Sequence, residues 1–180
     1  MYTQLIEYGF FYNKTTPSDI NEHLETLKRY AEVCNTVTEM GVRSVVSTWA
    51  FLAARPKKLT SIDIEECPIG VIKELAIGVG VDFKFILADT RSIVIEQTDL
   101  LFIDTWHVYD QLKIELDLHG NKANKFIIMH DTTIYGENGD TPGYKGLWPA
   151  VEEFLVLNNN WRLKERHHNC NGLTVLERVG

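Results

Sequence analysis

The sequence predicts an α/β protein built on an open, mostly parallel sheet. Three observations carry that prediction. Short apolar or β-prone runs alternate with stretches of helical periodicity. The runs lack polar alternation, as do strands covered by helices on both faces. Four of them end on an acidic residue or lead straight into one: Asp63, Asp89, Asp104 and Asp131. Ligands of open α/β sheets bind beyond the carboxyl ends of the strands, so the pattern gathers these carboxylates around one crevice.

The elements follow in order. Residues 1–17 are an N-terminal extension. Residues 19–34 carry Ile20, Leu24, Leu27, Tyr30, Ala31 and Cys34 at helical spacing. Pro17, Ser18 and Asp19 are good helix-start residues, and Glu22 completes a capping-box spacing from Asp19. Strands are predicted over Thr36–Met40, Lys58–Ile64, Phe83–Ala88, Asp99–Ile103 and Lys125–Met129. Helices are predicted over Ser47–Arg55, Pro68–Gly78 and Val108–His119, which gives the order β-α-β-α-β-β-α-β. Residues 132–146 hold Gly136, Gly139, Pro142, Gly143 and Gly146 with little periodicity. A loop of that length in a compact domain is a lid or a binding loop, here an active-site loop. Trp148–Leu157 reads as a helix and Asn158–Asn160 as a turn. Trp161–Arg166 and Leu173–Arg178 read as an antiparallel hairpin at the sheet edge, turning at Asn171-Gly172.

Composition limits the function. The 180 residues make about one domain, 1–180, and no repeat or boundary interrupts them. Eighteen Lys+Arg against 25 Asp+Glu give a net charge of −7, and the longest basic run is Lys57-Lys58. That field argues against nucleic acid as a partner. Cys34, Cys67 and Cys170 are odd in number and widely spaced, which excludes a disulfide framework or zinc knuckle and suits a reducing compartment. No apolar run approaches the ~18 residues of a membrane span. The first residues lack the basic region of a signal peptide. A cytoplasmic protein without a membrane partner is expected.

Five places could carry chemistry. Gly41 after the first strand lets a ligand approach the backbone, and Ser47 opens a helix with free N–H groups; an ordinary β-to-α turn reads the same way. Asp63, about 20 residues further on, suits a ribose diol or a helix cap. Asp89-Thr90 suits an adenine edge, or Asp89 caps the next turn. Neighbouring strands lie about 4.8 Å apart, so Asp104 and Asp131 can share a divalent cation if their strands are adjacent. His130 would add a nitrogen and shift preference toward Mn, Fe or Zn. Trp106 is a candidate for the acceptor pocket, whereas Trp148 and Trp161 read as packing and His167-His168 as a polar hairpin tip.

Glu39-x-Gly41, Asp63, Asp89-Thr90, Phe102-Ile103-Asp104-x-x-His107-x-Tyr109 and His130-Asp131-Thr132 resemble, in order, the motifs of class I S-adenosylmethionine-dependent methyltransferases. The nearest resemblance is to the metal-dependent O-methyltransferase branch that includes the macrocin-type and related sugar enzymes. It covers residues 20–178. It implies a Rossmann-like seven-stranded sheet in the order 3-2-1-4-5-7-6 and methyl transfer to a hydroxyl of a small molecule or sugar. It places Glu39, Gly41 and Ser47 at the methionine end of the cofactor, Asp63 on the ribose, and Asp89 with Thr90 near the adenine. Asp104, His130 and Asp131 match metal positions, with magnesium the expected ion and manganese or zinc the alternatives. His107 matches a general base. Val45 and Val46 stand where the family has glycines and are expected to crowd the amino-acid end of the cofactor. The short chain suggests a homo-oligomer or a shared substrate. A non-catalytic nucleotide-binding protein and a metal-dependent hydrolase are the competing readings.

Overall fold

The computed structural model describes residues 1–179. Among them are strands β1 (Thr36–Met40), β2 (Lys58–Asp63), β3 (Asp82–Leu87), β4 (Thr98–Ile103), β5 (Ala123–His130), β6 (Trp161–His167) and β7 (Leu173–Arg178). They form one sheet in the order β3-β2-β1-β4-β5-β7-β6, as predicted. β1 to β5 are parallel, and β7 runs antiparallel to both β5 and β6.

The continuous apolar runs arise because both faces of the sheet are covered. Val37, Leu59, Leu100, Phe102 and Ile128 point to one face. There they meet α1 (Tyr2–Thr15), α2 (Leu24–Ala31), α3 (Val46–Ala54) and α4 (Gly70–Val79). Their neighbours in the strands, Met40, Ile62, Leu101, Ile103, Ile127 and Met129, point to the other. There they meet α5 (Tyr109–His119) and α6 (Trp148–Leu157). Each fully buried side chain of this kind contributes about 1.5–3 kcal/mol.

Two helix assignments differ from the sequence reading. Residues 1–17 are not a bare extension: α1 buries Ile6, Gly9 and Phe10. The helix read from residue 19 begins as a 3-10 turn at Asn21–His23 and becomes α-helical at Leu24. Its first N–H, that of Asn21, donates to Ser18 Oγ at 3.0 Å. Asp19 does not cap, because its carboxylate pairs with the Arg43 guanidinium at 2.7 Å. Between β3 and β4 there is only a 3-10 turn, Thr90–Ser92, as the predicted β-β succession requires. Residues 93–97 lie across β1–β3 in place of a helix and leave a groove of about 200 Å³.

Candidate active site

The parallel ladder runs on past the strand ends and brings the loops together. The Gly41 N–H donates to the Ile62 carbonyl (2.9 Å), and the Asp104 N–H to the Met40 carbonyl (2.8 Å). Gly41 takes φ +85°, a backbone state that L side chains rarely adopt. Beyond it opens a cavity of about 410 Å³ lined by Gly41, Asp63, Asp89, Thr90, Asp104 and Trp106, among others. A second cavity, of about 120 Å³, shares Gly41, Arg43 and Asp104 with the first and adds Ser47, His107 and Asp131. Eight of the ten predicted site residues therefore face one continuous crevice. Glu39 and His130 line neither cavity.

Glu39 lies wholly inside, under the loop. Ser47 Oγ (2.6 Å), Thr48 Oγ1 (3.0 Å) and Ser61 Oγ (2.6 Å) all donate to it. Burial raises its pKa to about 7 against the pull of those hydroxyls. Its carboxylate therefore ties α3 to β1 and β2, beneath the crevice. Asp63 accepts N–H bonds from Val42 (2.7 Å), Arg43 (3.0 Å) and Glu65 (2.9 Å). Burial opposes its charge, but the three donors hold its pKa below the usual carboxylate range. Asp89 accepts the Arg91 N–H at 2.9 Å, capping the 3-10 turn, and also pairs with the Arg91 guanidinium. Thr90 donates to the buried Glu115 at 2.5 Å, a carboxylate also held by Gln111 (2.7 Å) and Thr105 (2.8 Å).

The glycine-poor loop takes an unforeseen shape. Val45 sits in the left-handed region at φ 63°, a strained state for a β-branched residue. Its side chain is buried in the core with α3 and lines neither cavity, so it does not crowd the crevice. Val46 does line the smaller cavity.

At the ends of β4 and β5, one ligand atom from each of Asp104, His107 and Asp131 lies within 4.8 Å of the others. His107 Nε2 is 2.8 Å from Asp131 Oδ2 and 3.3 Å from Asp104 Oδ1, and its Nδ1 is 3.4 Å from Asp140 Oδ2. The ring stacks on Tyr135 at 5.0 Å and 7°. Burial works to lower the His107 pKa, but the two carboxylates outweigh it and raise it to about 10. Asp131, itself left-handed at φ 59°, is held well below the usual carboxylate range by both histidines despite its burial. His130 Nε2 donates to the Cys170 carbonyl at 3.1 Å. Its Nδ1 then points between Asp104 (3.5 Å) and Asp131 (3.4 Å) without a hydrogen bond, and Asp131 Oδ1 is likewise buried without one. Two carboxylates, two imidazoles and the orphaned atoms Nδ1 of His130 and Oδ1 of Asp131, gathered at the ends of two neighbouring strands, fit a divalent cation.

Several supporting residues were not singled out from the sequence. Thr48 and Ser61 satisfy Glu39, and Glu115 gathers Thr90, Thr105 and Gln111; no spacing rule marks such contacts. Asp140 and Tyr135 reach His107 from the 132–146 loop. Asp140 also accepts from Trp106 Nε1 at 3.0 Å. His23 Nε2 meets the same Cys170 carbonyl as His130, at 3.1 Å.

No family profile and no curated protein matches the sequence. Solved structures match it well in shape. SAH-bound methyltransferase PaMTH1 of Podospora anserina superposes with a TM-score of 0.60 at 15% identity, over 97% of this chain and 88% of that one. The O-methyltransferase TomG of Streptomyces achromogenes, in complex with SAM, gives 0.60 at 14%, over 92% and 82%. The N-methyltransferase NodS of Bradyrhizobium japonicum gives 0.59 at 14%, over 90% and 97%. The chain thus has the Rossmann-like methyltransferase fold. No helix among the described residues is long and apolar enough to cross a membrane.

Proposed function

We propose that the protein is an S-adenosylmethionine-dependent O-methyltransferase that works with a divalent cation on a hydroxyl of a small molecule or sugar. The observation that carries this reading is the convergence of Asp104, His107 and Asp131 beside a crevice that also holds Gly41, Asp63 and Asp89. The fold is shared with SAM- and SAH-bound methyltransferases. When bound, S-adenosylmethionine supplies an activated methyl group and the cation supplies Lewis acidity toward the acceptor oxygen.

The chain's own residues do the rest. Asp63 and the 410 Å³ cavity hold the nucleoside end, with Asp89 and Thr90 at the far wall. Arg43 is the one arginine or lysine lining the smaller cavity, where it faces the amino-acid end. Asp104, Asp131 and the free Nδ1 of His130 would hold the cation. Two carboxylates with a nitrogen favour manganese or zinc over magnesium. Were those carboxylates to hold a cation, they would pull less on His107, which lines the smaller cavity and would take the acceptor's proton. Asp140 at Nδ1 and the Tyr135 stack keep the imidazole in place. Alignment of acceptor oxygen and methyl group accounts for most of the remaining acceleration.

The test pairs titration calorimetry with turnover. S-adenosylhomocysteine should bind the wild type and the Asp131→Asn variant alike. Manganese should bind the wild type and fail to bind the variant. Methyl transfer from labelled S-adenosylmethionine to a panel of catechols and glycosides should need the metal and stop in chelator. Lack of cofactor binding would sink the reading outright; transfer to amines alone would replace oxygen by nitrogen as acceptor.

A further inference from the structure

α1 carries two apolar faces, and the fold uses only one. Ile6, Gly9 and Phe10 are buried on the domain, where Trp49 of α3 leaves no room for a Cβ at Gly9. On the outside, Met1, Leu5, Tyr8 and Tyr12 follow one another at intervals of four, three and four residues and form a single stripe. They are 83%, 49%, 68% and 56% exposed, with Tyr2 and Phe11 flanking them. The two charged side chains of α1 are occupied elsewhere. Glu7 lies 3.7 Å from Arg55, and Lys14 lies 2.6 Å from Glu25. A stripe at this spacing is the seam by which one helix packs on another.

We propose that this stripe is a dimer interface, in which α1 pairs antiparallel with α1 of a second copy about a two-fold axis between Leu5 and Tyr8. The stripe is its own complement when reversed. Leu5 meets Tyr8 of the second copy, and Met1 meets its Tyr12, as an isologous interface requires. At about 200 Å² per aromatic side chain, Tyr8, Phe11 and Tyr12 alone present roughly 370 Å². That is nearly half of the about 800 Å² each partner gives to a standard interface, before Met1 and Leu5 are added. The face is rich in aromatics and free of unpaired charge, the composition of an interface core. Two chains of net charge −7 repel each other, and a helix whose two charged side chains, Glu7 and Lys14, are already paired within the chain is where they meet at least cost. The same charge disfavours an anionic lipid surface, which draws on clustered basic residues, whereas the single lysine of α1, Lys14, is paired with Glu25. No α1 residue lines either cavity of the crevice, so pairing leaves the candidate site open.

Sedimentation velocity and light scattering on the full chain test this. The wild type should show twice its 20.7 kDa at micromolar concentration. Tyr8→Glu and Leu5→Lys, both at exposed positions, should each be monomeric with unchanged circular dichroism and melting temperature. Mixing the two variants should restore dimers, because Glu at position 8 then faces Lys at position 5. Three results would overturn the proposal: a wild-type monomer throughout, a dimer that survives both substitutions, or restoration failing on mixing. Flotation of monomers with phosphatidylcholine vesicles would assign the stripe to lipid instead.

Discussion

Gly41 and Asp104 meet backbone to backbone: a Cβ on Gly41 would stand 1.8 Å from the Asp104 carbonyl oxygen. The contact joins the loop after β1 to the loop that carries Asp104 and His107. A side chain there must bear both the left-handed φ and a clash with main chain. Gly41→Ala is expected to cost about 3 kcal/mol or more in stability. Urea unfolding measures it, and a loss under about 0.5 kcal/mol would mean the loops part freely.

Asp63 binds the loop before it binds any ligand. Asp63→Asn should therefore lower stability without cofactor, by about 1–3 kcal/mol, because an amide cannot accept all three N–H donors. The wild-type carboxylate has a folded pKa below its unfolded value. Its contribution is present at neutral pH and is lost as pH falls through the folded pKa. The variant should show a flatter acid limb in a melting series. A change in cofactor affinity with no change in the melting of the free protein would place Asp63 on the ligand alone.

For Glu39 the sign is opposite. Its pKa rises from 4.5 to about 7 on folding, so the folded state holds the extra proton. Stability falls as pH climbs from about 4.5 to about 7 and is level above. Glu39→Gln, which never ionises, should remove this slope, a difference on the order of 1–3 kcal/mol between the two ends. Parallel wild-type and variant curves would show the carboxylate ionised throughout.

Val45 and Val46 separate strain from contact. Val45→Gly relieves a left-handed φ but gives up buried surface, so its stability should change by less than about 1 kcal/mol. S-adenosylhomocysteine affinity should not change, because Val45 faces the core. Val46→Gly should alter affinity, because Val46 lines the smaller cavity. Equal effects from both would mean the loop moves as one piece on binding.

The sheet was legible because strands covered on both faces are bare apolar runs, and the acids that close them mark the crevice. The spacing of three between Asp104 and His107 also placed those side chains together. What stayed hidden depends on partners distant in sequence. Glu39 reads as a ligand residue, yet its three hydroxyl donors come from α3 and β2. His107 reaches Asp131 only because β4 and β5 are neighbours, and Asp140 arrives through a loop without periodicity. α1 escaped notice for a different reason. Apolar on two sides, it has no single face for a periodic pattern to reveal.

The Cys170 carbonyl receives both His23 and His130, across 147 and 40 residues of chain. It sits in a hairpin tip where Cys170, Asn171 and Gly172 are all left-handed, and the Asn171 carbonyl accepts the N–H groups of Thr133 and Ile134. In order of synthesis this tip follows every residue that lines the crevice. Gly41, Asp63, Asp89 and Asp104 leave the ribosome long before it, and the strands that hold them pair among themselves. A nascent chain can therefore assemble the half of the crevice lined by Asp63 and Asp89 early. His130 and the loop over His107 wait for contacts of the longest range, which form slowly. A product cut short before β7 would keep the groove beside Asp63 and Asp89 and lack the anchored half around His107 and Asp131.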